Sequence, residues 1–132
     1  MTKEQKFKKE YAFELLKIAE GDLETTEVLL SASIGRKENV CFNAQQAIEK
    51  SLKAVLCYLE LPVPFTHNLD ILIDRLPLAL KNNNLDNINE LTEYATIRRN
   101  EEGTFVLDAD DLKKAYELAE FTVKWAQEIC SK

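Results

Sequence analysis

The groups in this chain best suited to chemistry on a phosphate are one tyrosine, one arginine and a short run of lysines. Tyr94 and Arg98 stand four residues apart, so on a helix they share one face. A guanidinium fork matches a phosphate or a carboxylate through two parallel hydrogen bonds, while a tyrosine hydroxyl can donate a proton or a hydrogen bond. With an ordinary pKa of about 10, the tyrosine is a poor general base. Further upstream, Lys50 and Lys53 place two ammonium groups on one run of helix, preceded by Gln45 and Gln46. One account makes the lysines phosphate contacts and a glutamine a base contact, in a cleft near Arg98. The other pairs Gln46 with Lys50 and Glu49 with Lys53 across one helical turn, as a polar surface, and gives Arg98 a carboxylate partner because it lies on an apolar stripe. Spacing alone leaves both accounts open.

Metal-independent cleavage of RNA needs a group titrating near neutrality to move the 2′-hydroxyl proton, and histidine supplies it most readily. The sole histidine, His67, precedes Arg98 and lies in a different connection, between prolines and a helix cap, where it reads as a turn residue hydrogen-bonded to backbone. Arg99 reads as a solvated neighbour of Arg98, its field partly offset by Glu101 and Glu102. There is no Gly-rich phosphate loop, no HxxxH or ExxH pair and no nucleophile elbow, which argues against a self-contained NTPase, zinc hydrolase or serine hydrolase. No metal site or cofactor is expected. Cys41, Cys57 and Cys130 are odd in number and widely spaced, so they read as reduced thiols, two of them inside helical patterns where cysteine behaves as a small hydrophobe.

The elements that must position these groups are helices. From Lys3 to Leu30 the residues Phe7, Tyr11, Leu15, Ala19, Leu23, Thr26 and Leu30 recur at three- and four-residue steps, widened by Ala12 and Leu16. Gly21 sits inside that stretch at a cost of about 1 kcal/mol relative to alanine. A second helix starts near Asn39, carries Val40, Ala44, Ala47, Ile48, Ser51, Leu52, Val55 and Leu59, and is ended by the prolines at 62 and 64. Asn68 caps a short helix with Leu69, Leu72, Ile73 and Leu76, which Pro77 stops or kinks. A fourth helix carries Ile88, Leu91, Ala95 and Arg98 behind an Asn87 and Glu90 capping box. Asp108 and Asp111 introduce the last, whose inner stripe is Leu112, Ala115, Ala119, Thr122, Val123, Ala126 and Cys130.

Short connections between amphipathic helices favour antiparallel neighbours, so the predicted fold is all-α: one domain over residues 1–132, an up-and-down bundle of four main helices plus a short one. Composition agrees, with 45% hydrophobic and 30% charged residues and only three glycines and three prolines to interrupt helix. The formal net charge of −6 repels phosphate backbones at long range and disfavours non-specific binding of nucleic acid. The first ten residues lack the apolar run of a secretory signal, and no stretch has the 18 or so apolar residues of a membrane span, so a cytoplasmic location is expected.

Several words in this bundle resemble the HEPN family. They are Gly21-Asp22-Leu23 with Leu29-Leu30, then Ala44-Gln45-Gln46-Ala47-Ile48-Glu49-Lys50-Ser51-Leu52-Lys53-Ala54, the most specific of them. Pro64, Thr66-His67-Asn68-Leu69 and Leu72 follow, and then Tyr94 and Arg98. The resemblance implies a helical bundle that commonly dimerises and is found beside minimal nucleotidyltransferases, in toxin and antitoxin modules, or as a nucleotide-binding accessory. Ribonuclease members of the family carry an arginine followed after four to six residues by histidine. Here Arg98 is followed by Arg99-Asn100-Glu101-Glu102-Gly103-Thr104-Phe105, without one.

The expected function is therefore that of a noncatalytic or catalytically degenerate member: a homodimer that binds a nucleotide or a minimal nucleotidyltransferase. Gln46, Lys50, Lys53, Tyr94 and Arg98 are its candidate nucleotide or phosphate contacts. The competing expectations are a ribonuclease acting through Arg98 and Tyr94, and a helical assembly module without a ligand.

Overall fold

The computed structural model of the chain describes residues 4–32, 37–81, 85, 88 and 108–132. Three long helices dominate them: α1 over Tyr11–Ala32, α2 over Lys37–Tyr58 and α4 over Ala109–Ile129, with a short α3 over Leu69–Asp74. Helix α2 packs against α1, α3 and α4, and α1 also meets α4, so α2 is the central element. The predicted fourth helix falls on residues of which only Ile88 is described; Ile88 and Leu85 are helical and buried.

The inner stripes follow from the residue spacing. On α1 the buried residues are Ala12, Leu15, Leu16, Ala19 and Thr26, with Thr26 returning its hydroxyl to the Asp22 carbonyl at 2.7 Å. Tyr11, placed on the stripe by spacing, is instead exposed. The helix also starts later than its periodicity suggests. Glu4–Gln5 forms a short strand, β1, antiparallel to β2 over Val63–Pro64, with Gln5 opposite Val63. That pairing joins residues distant in sequence, so helical spacing near Phe7 could not reveal it.

Helix α2 begins at Lys37, ahead of the expected Asn39, which lies within its first turns and accepts from the Asn43 side chain through its carbonyl. Its other end is closed before the prolines are reached. The Glu60 amide bonds the Cys57 carbonyl and the Leu61 amide bonds that of Leu56, with Glu60 at φ 59°. This is a Schellman closure, with a glutamate in the left-handed conformation that glycine usually takes.

The two remaining caps are those the sequence predicts. The Asn68 side chain accepts from the amides of Asp70 and Ile71 at the start of α3. Asp108 and Asp111 form a reciprocal capping box on α4, whose buried face is Leu112, Ala115, Ala119, Thr122, Val123, Ala126 and Ile129, followed by Cys130. Pro77 leads into a single 3₁₀ turn over Leu78–Leu80.

Gly21 does not interrupt α1, and a β-carbon there would meet nothing within 4 Å. Alanine removes the backbone entropy cost without a clash, so Gly21→Ala is expected to stabilise the protein by about 0.5–1 kcal/mol in urea denaturation. An unchanged or lower midpoint would show that something else occupies that surface.

Candidate functional site

Gln46, Glu49, Lys50 and Lys53 lie on one stripe of α2, at steps of three, one and three residues. The surface stripe of the polar account would be solvated, but the carboxylate at its middle is not. Because α2 is flanked by other elements, the Glu49 side chain has no exposure at all, and it is fully partnered. Its Oε2 accepts from Lys53 Nζ and from Lys50 Nζ, each at 3.1 Å. Its Oε1 lies 2.9 Å from His67 Nδ1. The Glu49 to Lys53 pair expected from spacing is therefore present, as an ion pair rooted in the interior and not as surface lacing.

His67 departs from expectation in the same way. It sits in the turn between β2 and α3, where the neighbouring backbone requirement is met by others: the Asn68 amide bonds the Thr66 hydroxyl, and the Asn68 side chain caps α3. This turn holds the imidazole over α2 instead of against local backbone. Its side chain is 81% exposed, against 22% for Lys50 and 16% for Lys53. The exposed ring and the two lysines, largely but not wholly shielded, thus form a rim around an inaccessible carboxylate.

Helix α1 contributes Asp22, half-buried and close enough to feel both Lys50 and Glu49. Burial pushes its carboxyl above the ordinary value, Lys50 pulls it down and Glu49 pushes it up again, with a net rise. For Glu49 burial also acts upward, but Lys53, the hydrogen bond with His67, and Lys50 together outweigh it and hold the carboxyl below its ordinary 4.5. A carboxylate can survive without solvent here because three donors replace the water it has lost.

The pH response follows from those directions. Stabilisation by Glu49 is complete above about 4.5 and is lost as pH falls through the lower folded value. Asp22 acts oppositely, its contribution being present at low pH and lost as pH rises through its raised folded value. Urea midpoints of the wild type and Glu49→Gln are expected to converge as pH drops below 4.5. Parallel curves through that range would mean that Glu49 is not held as a charged group.

Of the residues predicted from sequence, the structure brings Lys50 and Lys53 together on one carboxylate and keeps Gln46, half-buried, on the same stripe. Gln45 is buried, which removes it as a base contact. Tyr94 and Arg98 lie outside the described residues. Sequence reasoning passed over Glu49, His67 and Asp22 as members of a site. The available signal was the Glu49 to Lys53 spacing beside the only histidine, but nothing local joins residues 49 and 67.

The remaining candidate groups are quiet. Cys41, Cys57 and Cys130 are buried, and burial raises the thiols of Cys57 and Cys130, the latter to about 11. Thiols so held are poor nucleophiles. Among the described residues no group of three or more His, Cys, Asp or Glu is placed to hold a metal ion, and no helix is long and apolar enough to cross a membrane.

Comparison with known proteins yields one finding. The family model described as HEPN domain matches residues 12–129, which takes in α1 from its second residue, α2, α3, α4 and all the residues of the Glu49 cluster. No curated protein and no solved structure matches the chain.

Proposed function

Since the chain belongs to the HEPN domain family, we propose that it is a noncatalytic binding member, taking the phosphate of a nucleotide at Lys50 and Lys53. The observation that carries this reading is the anchoring of both ammonium groups on one buried carboxylate. A lysine side chain ordinarily loses up to about 2 kcal/mol of rotamer entropy when it is fixed, and here part of that loss is already met in the folded protein. Each ammonium has three N–H donors and spends one on Glu49, so donors remain for phosphate oxygens. Phe65, 79% exposed and two residues before His67, adds an aromatic face suited to a base in the same turn.

In this reading Gln46 hydrogen-bonds the base, and Tyr94 and Arg98 complete the phosphate contacts. Residues 1–132 act as one helical domain in the cytoplasm. It works as a homodimer, with a minimal nucleotidyltransferase as partner in a toxin and antitoxin type module. The apolar side chains left exposed on the long helices, Phe13, Ile18 and Val28 of α1 and Phe121 of α4, are the material for the dimer face.

Calorimetric titration with ATP, GTP and a short single-stranded RNA tests this. Saturable nucleotide binding is expected, weakened about ten- to a hundredfold in a Lys50→Met, Lys53→Met variant whose fold is verified by circular dichroism. Arg98→Ala is expected to weaken it as well, and RNA recovered from the cell should run intact on a gel. Cleaved RNA would favour the ribonuclease reading. Absence of any binding would overturn the nucleotide site and leave a protein partner as the function.

A further inference from the structure

The hydrogen bond between His67 and Glu49 fixes which imidazole nitrogen carries the proton. Glu49 accepts from two ammonium groups on Oε2, so it is held as a carboxylate and has no proton to give. The proton in the 2.9 Å contact with Oε1 therefore sits on Nδ1 of His67. In the neutral ring this leaves Nε2 bare, an acceptor on the far side of an imidazole that is 81% exposed. Lysine ammonium groups can only donate. The rim thus combines two donors suited to phosphate with one acceptor unsuited to it, all gathered around a single carboxylate.

A ligand that satisfies this pattern carries an anionic group and a hydroxyl close to each other. We propose that His67 is a specificity residue: Nε2 accepts a hydrogen bond from a sugar hydroxyl of a ligand whose phosphate is held at Lys50 and Lys53, selecting ribonucleotides over phosphate compounds that lack the hydroxyl. This rests on the nucleotide reading above and names the chemical class that the site takes. Glu49 is a positioning residue in it, setting the tautomer and the ring orientation from the buried side. Unlike the paired lysines, His67 contributes selectivity between ligands of equal charge, which no electrostatic attraction supplies.

Because His67 is the only histidine, a long-range proton–nitrogen correlation spectrum of the full chain reads its ring without interference. The neutral ring is expected in the Nδ1–H form, and Glu49→Gln, which can also offer a donor, is expected to reduce that preference. Titration with ATP and with 2′,3′-dideoxyATP should then show ATP binding roughly three- to tenfold tighter. His67→Phe should remove the discrimination, bringing the ratio of the two affinities to about one.

An Nε2–H ring would overturn the inference even if nucleotides bind well. Equal affinities for ATP and the dideoxy compound would overturn it while leaving the nucleotide site intact. Absence of binding by either compound would remove both, and the spectrum would still report whether Glu49 sets the tautomer.

Discussion

Glu49→Ala is expected to lower the stability of the protein by about 3–5 kcal/mol, the range found when one partner of a buried ion pair is removed. Glu49 has no exposure and accepts three hydrogen bonds, and Lys50 and Lys53 reach their positions by converging on it. Without the carboxylate, two ammonium groups that are mostly shielded from water lose their counter-charge and a void opens beneath them. Against a total stability of about 5–15 kcal/mol, such a loss removes a large share of the folded population's margin. A urea denaturation curve reads it as a lower midpoint at unchanged slope. Glu49→Gln, which keeps the shape and one acceptor oxygen, should lose less. A change under about 1 kcal/mol for the alanine variant would mean that water reaches the cluster and that Glu49 organises nothing.

The second large effect is expected on another stripe of the same helix. Leu52→Ala should cost about 2–5 kcal/mol, because Leu52 is fully buried in the cluster shared by α1, α2 and α4, and truncation leaves a cavity that packed neighbours close only in part. Leu59→Ala, just beyond the end of α2 and 37% exposed, should cost under about 1 kcal/mol. The pair separates the two duties of the helix. Under the proposed function, Leu52→Ala at a temperature where it remains folded is expected to bind nucleotide as the wild type does, whereas changes at Lys50 and Lys53 are expected to lower affinity. A large loss of affinity in folded Leu52→Ala would couple the core stripe to the site and contradict that division.

Glu49 combines the two stripes, which is why its role is the hardest to read from the chain. Its four-residue spacing to Lys53 is a local fact, and a surface ion pair of that kind is worth only about 0.3–0.5 kcal/mol. Burial changes its meaning. Once α1 and the turn carrying His67 close over α2, the same carboxylate becomes an interior charge whose removal is costly and whose partners are held in place.

The inner faces of α2 and α4 were legible because apolar residues recurring at three and four steps must share a face, whatever they pack against. So were the Asn68 and Asp108 caps, since a side-chain oxygen before a helix satisfies amides only two or three residues away. Helical class and family membership rest on such short-range regularities, repeated along the chain. The late start of α1, the burial of Glu49 and the seating of His67 on it were not legible. Each depends on a contact between distant residues, Gln5 with Val63 or His67 with Glu49, and only the packed tertiary structure brings such pairs together and withdraws water from between them.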